Sequence, residues 1–172
     1  DALYMTFHMA SRMDKRFYLA DMLSDLFSRG KSSRFSKRLV LEKHLFTELD
    51  AFILGGSDSG LFVISGKPKE GVSLEEAYAE VRLELEILQK ELVTEYELQK
   101  IKNKIESVNV FGEMSVLNKA MNLCSYELLG DAGMINQQMD NYTGITPSDL
   151  QEEAMEIFKE ENCSVLFYKA RK

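Results

Sequence analysis

The chain has 172 residues, 45% of them apolar, with ten Phe and seven Tyr, which is enough for one domain spanning residues 1–172 with a real core and too few for two. A formal net charge of −7 without a Lys/Arg block argues against nucleic-acid partners and anionic membrane surfaces, because phosphates recruit basic surfaces. No apolar run reaches the ~20 residues of a membrane span, so no membrane partner is expected and the chain reads as soluble, cytoplasmic or periplasmic. It opens at Asp1 directly into a strand pattern with no start methionine. That is the look of a chain lacking its native amino-terminal region, and compartment is not read from this end.

Leu3, Met5, Phe7 and Met9 alternate with Tyr4, Thr6 and His8, the pattern of a strand with one apolar face. A helix follows, with Phe17, Leu19, Ala20, Leu23, Leu26 and Phe27 at helical spacing. Ser11 and Asp14 stand at capping-box separation before it, and Arg29-Gly30 close it. A short helix carries Phe35, Leu39 and Val40. From Leu45 to Leu54 the period is two, with Leu49, Ala51 and Ile53 on one face and Phe46 and Phe52 on the other. The turn Gly55 to Gly60 then joins a second strand from Leu61 to Ser65, making a hairpin.

Ser73 and Glu76 form a capping box for a long helix to about Leu92, whose stripe is Val81, Leu83, Leu85, Ile87 and Leu88. Its acidic residues, Glu75 to Glu91, are spaced as a solvated face. Thr94 and Glu97 cap another helix, and the region to Leu129 is helical with a break near Gly112. Asp131 to Tyr142 reads as a helical turn or short helix. Thr146, Pro147 and Asp149 start a last helix, with proline at its first position, and Cys163 to Ala170 alternates as a final strand. The order β-α-α-β-β-α-α-(α)-α-β predicts an α+β fold: a mostly antiparallel four-stranded sheet with helices packed on one face.

Local catalytic signatures are missing. His8 and His44 are the two histidines, and neither H-E-x-x-H nor H-x-x-E-H is spelled. His44 and Glu48 are four apart, but on an extended segment that separates them by roughly 13 Å, too far to share a metal. There is no G-x-S-x-G elbow, P-loop or G-x-G-x-x-G. The Gly55–Gly60 run lies between two strands and is a hairpin connection, not a phosphate cradle. Cys124 and Cys163 make no disulfide framework and read as small buried apolar residues. No catalytic or metal-binding residue, and no cofactor, is expected in this chain.

Four motifs in order carry a family resemblance. The stretch from Leu23 to Lys43, with its turn Arg29-Gly30-Lys31-Ser32-Ser33-Arg34, resembles a helix–turn–helix segment of the insulinase/pitrilysin-type zinc metallopeptidases, the mitochondrial processing peptidase-like inverzincins. Gly60-Leu61-Phe62-Val63-Ile64 looks like that family's Gly-x-Phe-x-Ile strand. Val93-Thr94-Glu95-Tyr96-Glu97-Leu98 through Lys102 looks like its Val-Thr-x-x-Glu-Leu-x-x-x-Lys helix start. Ile145-Thr146-Pro147-Ser148-Asp149-Leu150 looks like its Val-Thr-x-x-Asp-Leu.

The resemblance implies two similar halves around a closed chamber, with this chain as the second, non-catalytic half. The expected partners are the catalytic amino-terminal half or partner subunit, which would hold zinc on H-x-x-E-H, and a peptide substrate; a homo-oligomer is also possible. The chain alone would hydrolyse nothing, while the parent protein would be a zinc metalloendopeptidase. Active relatives place an Arg, and a Tyr seven residues on, against substrate. A gapless reading puts these on Val40 and Thr47, which cannot donate in the same way. Arg38 and Phe46 lie beside them and are the candidate substrate contacts. The same fold also serves as a catalytically dead scaffold in respiratory complexes, which is the alternative reading.

Overall fold

In the computed structural model, residues 1–170 are described. Strand β1 (Ala2–Met9) buries Leu3, Met5, Phe7 and Met9 and turns Tyr4 and His8 outward, as the period of two requires. It lies inside a four-stranded sheet of order β2-β3-β1-β4, with β2 (Phe46–Leu54), β3 (Gly60–Pro68) and β4 (Cys163–Tyr168). Every neighbouring pair is antiparallel. The helices supply the apolar surface that one face of the sheet needs, so the predicted α+β class and antiparallel sheet hold.

The helices are α1 (Arg16–Ser28), a π-helix (Phe35–Glu42), α2 (Leu74–Lys90), α3 (Glu95–Glu113), α4 (Val116–Leu128), α5 (Gln138–Thr143) and α6 (Pro147–Ile157). Short 3-10 segments at Ala132–Gln137 and Glu160–Asn162 complete the described helical turns. Three of the caps read from sequence form as hydrogen bonds. Ser73 Oγ accepts from Glu76 N at 3.0 Å. Thr94 with Glu97, and Thr146 with Asp149, close full capping boxes. Phe158, just past α6, is the hub of the core: its ring meets Phe7, Phe27 and Phe62 edge-on at 5.2, 5.7 and 5.1 Å between centroids. Such pairs add about 0.5–1.5 kcal/mol each beyond burial.

Several expectations change. Ser11 and Asp14 do not box the first helix. Instead Asp14 Oδ1 accepts from Arg16 N at 2.9 Å, and α1 begins at Arg16. The short helix is wound as a π-helix, its end marked by Lys43 N donating to Arg38 O, five residues back, at 2.9 Å. The break expected near Gly112 falls just after it, where α3 ends at Glu113 and Ser115 caps α4. Glu84, assigned to a solvated face, is 2% exposed, and Leu83, assigned to the buried stripe, is 46% exposed. Cys124, expected buried, is exposed, while Cys163 is half-buried; both are free thiols.

Phe46 also changes face. The register slips between Phe46 and Glu48, so an extra residue enters the strand and the alternation restarts. Phe46, Leu49 and Ala51 are therefore all buried. The Phe46 ring lies over Gly66 of β3, where a Cβ would come within 2.9 Å of the ring and 2.7 Å of Leu49 Cδ1. Only glycine leaves room for that contact.

Candidate functional site

The segment singled out from sequence runs from the π-helix into β2. Leu39 is buried and Val40 half-buried beside the core, which fixes the helix. Arg38 Nη1 donates to Glu84 Oε2 of α2 at 2.8 Å. The two side chains are unequally solvated, 37% exposed for Arg38 and 3% for Glu84. Arg38 thus pairs with a buried carboxylate while part of its own side chain stays exposed. Thr47 is exposed, and its Oγ1 donates to Lys67 O at 3.0 Å. Phe46 has no exposed surface, so its ring belongs to the core and offers no contact to a ligand in this conformation. Of the two candidate residues, only Arg38 has a group free to meet another molecule.

Arg34, one helical turn earlier, does different work. It is 9% exposed and grips Glu97 through Nε–Oε1 at 3.0 Å and Nη2–Oε2 at 3.1 Å. Glu97 is also the acceptor of the Thr94 capping box, taking hydrogen bonds from Thr94 N at 3.2 Å and Thr94 Oγ1 at 3.0 Å. Burial alone would raise the Glu97 pKa, but the Arg34 hydrogen bonds and charge, with those from Thr94, bring it down to about 2. Lys102, the lysine of the same motif, donates to Thr143 O and Ile145 O, both at 2.7 Å, and so ties α3 to the start of the Thr146 motif. Lys100 and Lys104 fasten the turn between α1 and the π-helix through Ser32 O and Arg29 O. The residues that carry the resemblance are mostly joined to one another, and they tie the turn after α1, the start of α3 and the start of α6 together.

Sequence reasoning missed the partners of these groups. Glu84 was read only as part of an acidic helix face and Glu97 only as a capping residue, and the pairing with Arg38 and Arg34 spans 46 and 63 residues. A third polar pair, Tyr142 Oη donating to Asp21 Oδ2 at 2.7 Å, links α5 to α1. Burial raises the Asp21 pKa, and the Tyr142 hydrogen bond partly opposes it. These two residues line a cavity of about 330 Å³ with Arg29, Asn118 and Asn122.

His8 lies on the open sheet face and His44, at φ 55°, in the turn before β2; both are exposed. Among the described residues no group of three or more His, Cys, Asp or Glu side chains could hold a metal ion, so the donors present do not fit a zinc site. Among them, too, no helix is long and apolar enough to cross a membrane.

Comparison with known proteins agrees with the geometry. A protease from Helicobacter pylori shares the fold with a TM-score of 0.90 at 23% identity, over 95% of this chain and 40% of that one. The inactive peptidase domain of a candidate zinc protease from Bordetella parapertussis gives 0.89 at 17% identity, over 99% and 91%. A chain of complex III2 from Candida albicans, solved with Inz-5 bound, gives 0.75 at 12% identity, over 95% and 41%. The chain therefore spans well under half of the Helicobacter protease and nearly all of the Bordetella domain. No curated protein matches it in sequence. The family model described as the Peptidase M16 inactive domain matches residues 1–105. With three fifths of its length inside that match, the chain belongs to the M16 peptidase family as an inactive domain.

Proposed function

We propose that this chain is the non-catalytic half of a zinc-dependent endopeptidase. It closes the substrate chamber and helps bind extended peptides, while a partner half carries zinc on H-x-x-E-H. The observation that carries the reading is Arg38. In an inactive M16 domain, it is a partly exposed arginine side chain on the π-helix that leads into β2, paired with the buried Glu84 carboxylate. A guanidinium offers five N–H donors, and only part of this one is used by Glu84. The remainder can donate to peptide carbonyls, which an extended substrate displays in a row. This side chain would bind and orient the peptide; the zinc of the partner half would supply the activated water.

The scaffold reading has its own support. The fold also occurs in the Candida complex III2 chain, and the positions gapless with the family's Arg and Tyr are Val40 and Thr47. Peptide binding separates the two. A peptide-binding half takes up a labelled, unstructured peptide saturably and leaves it intact; a scaffold takes up none.

A further inference from the structure

Residues 116–137 comprise α4, a turn and the 3-10 segment Ala132–Gln137. These pieces are tied to one another. Asp131 N donates to Tyr126 O, and Ala132 N to Glu127 Oε2, both at 3.2 Å. The hydrogen bonds made by the segment's side chains close within it. Its charged residues, Lys119, Glu127 and Asp131, enter no ion pair among the described residues. What fastens it to the body is Tyr126, its one buried side chain.

A surface helix is usually anchored by an apolar stripe laid on the core. Here the side turned to the body is largely polar: Asn118 and Asn122 line the cleft of about 330 Å³ that holds Asp21 and Tyr142. The apolar side chains Val116 and Leu128 are 84% and 89% exposed and add nothing to the hold. Segments with so few buried apolar contacts open at far lower free energy than the core does. Both ends of this one lie at element ends, where hinges form. α3 stops at Glu113, and the chain passes through the exposed Met114 to the Ser115 cap. At the far end the 3-10 winding gives way to α5 at Gln138.

We propose that residues 116–137 form a hinged flap, latched by Tyr126, that swings as a unit over the cleft between α1, α3 and α5. Closed, Asn118 and Asn122 complete the wall of that cleft. Open, the flap leaves Asp21, Arg29 and Tyr142 facing solvent. The latch belongs to the same aromatic cluster as the cleft. Tyr126 lies beside Tyr18 of α1, and the Tyr18 ring meets Tyr142 edge-on at 5.0 Å between centroids. Tyr142 in turn donates to Asp21. One ring leaving its seat therefore frees the flap and uncovers the polar pair together.

The test is a pulsed electron-paramagnetic-resonance distance measurement between two spin labels. Cys124, exposed on the flap, takes one label and Leu83→Cys on α2 the other, in a chain with Cys163→Ala. The reference pair is Leu83→Cys with Tyr96→Cys at the start of α3, both exposed on the body, in a chain with Cys124→Ser and Cys163→Ala. The expected result is a flap distribution at least about twice as wide as the reference, with a second maximum for the open state. Tyr126→Ala should raise the weight of that maximum at least ~3-fold, while Tyr126→Phe, which keeps the ring, should not. A flap pair as narrow as the reference overturns the proposal. So does a distribution that Tyr126→Ala leaves unchanged, or one that Tyr126→Phe shifts equally, since the ring would then not be the latch.

Discussion

Arg34 and Glu97, 63 residues apart in sequence, meet in a bidentate ion pair of 3.0 and 3.1 Å, and the same carboxylate caps α3 through Thr94. One side chain therefore fixes the turn after α1 and the start of α3 together. Removing Arg34 leaves Glu97 half-buried without its main counter-charge, and Arg34→Ala is expected to cost about 2–3 kcal/mol, below the full loss of a deeply buried pair because Glu97 keeps some solvent. Urea unfolding measures it; a change under 0.5 kcal/mol, roughly that of an ordinary surface substitution, would show the pair to be incidental.

The pair also predicts an acid response. The Glu97 pKa is depressed, from 4.5 to about 2. A group of this kind contributes stability above its unfolded pKa, and the contribution fades as pH falls through the window from 4.5 to 2. The difference in stability between the parent chain and Glu97→Gln should be full at pH 7 and nearly gone at pH 2. A difference independent of pH would mean that the carboxylate charge is not what holds the contact.

Asp21 behaves in the opposite sense. Its pKa is raised, chiefly by burial, so its charged form is disfavoured in the folded state and its contribution to stability declines as pH rises above the unfolded value. Asp21→Asn keeps an oxygen to accept the Tyr142 hydrogen bond and should be neutral or stabilising at pH 7. Tyr142→Phe removes the donor and should cost about 1–3 kcal/mol. Thermal melts of the two variants decide the matter: equal losses would contradict it.

Gly66 reports on the bulge. A Cβ there would collide with Leu49 and Phe46, and both are fully packed, so Gly66→Ala should cost about 1–3 kcal/mol. If the melt is unchanged, Phe46 does not sit over β3.

This position also shows how far the sequence could be read. The helix starts at Ser73, Thr94 and Thr146 were legible because a cap is a local contact, written within four residues. The bulge at Phe46 was not, because a period of two presumes an uninterrupted strand, and the slip is set by the fit of the ring over Gly66 on another strand. Cys124 reads as buried because a free cysteine is a small apolar side chain, and residue type alone does not say which way its helix faces; it is exposed. The candidate site was half legible. Arg38 was found by its nearness to the family positions, yet its partner Glu84 looked like one more carboxylate on an acidic helix. Long-range pairing leaves no local trace.

Arg38 is tied to Glu84, so its removal carries a structural cost before any functional one. Arg38→Ala should destabilise by about 2–4 kcal/mol by leaving Glu84 buried and unpaired. Glu84→Gln in the same chain should recover a large part of that loss. A double-mutant cycle measures the coupling; additive losses would mean that the two groups do not depend on each other.

The central claim is that this inactive M16 domain binds extended peptide through Arg38 and does not cleave it. The most direct measurement is the anisotropy of a fluorescent, unstructured peptide titrated with two chains of matched stability, Glu84→Gln and Arg38→Ala with Glu84→Gln, with mass spectrometry of the peptide afterwards. Saturable binding by the first, weakened about tenfold in the second, with the peptide intact in both, is the expected result. Binding that is absent, or equal in the two chains, or a peptide cut by the chain alone, would contradict it.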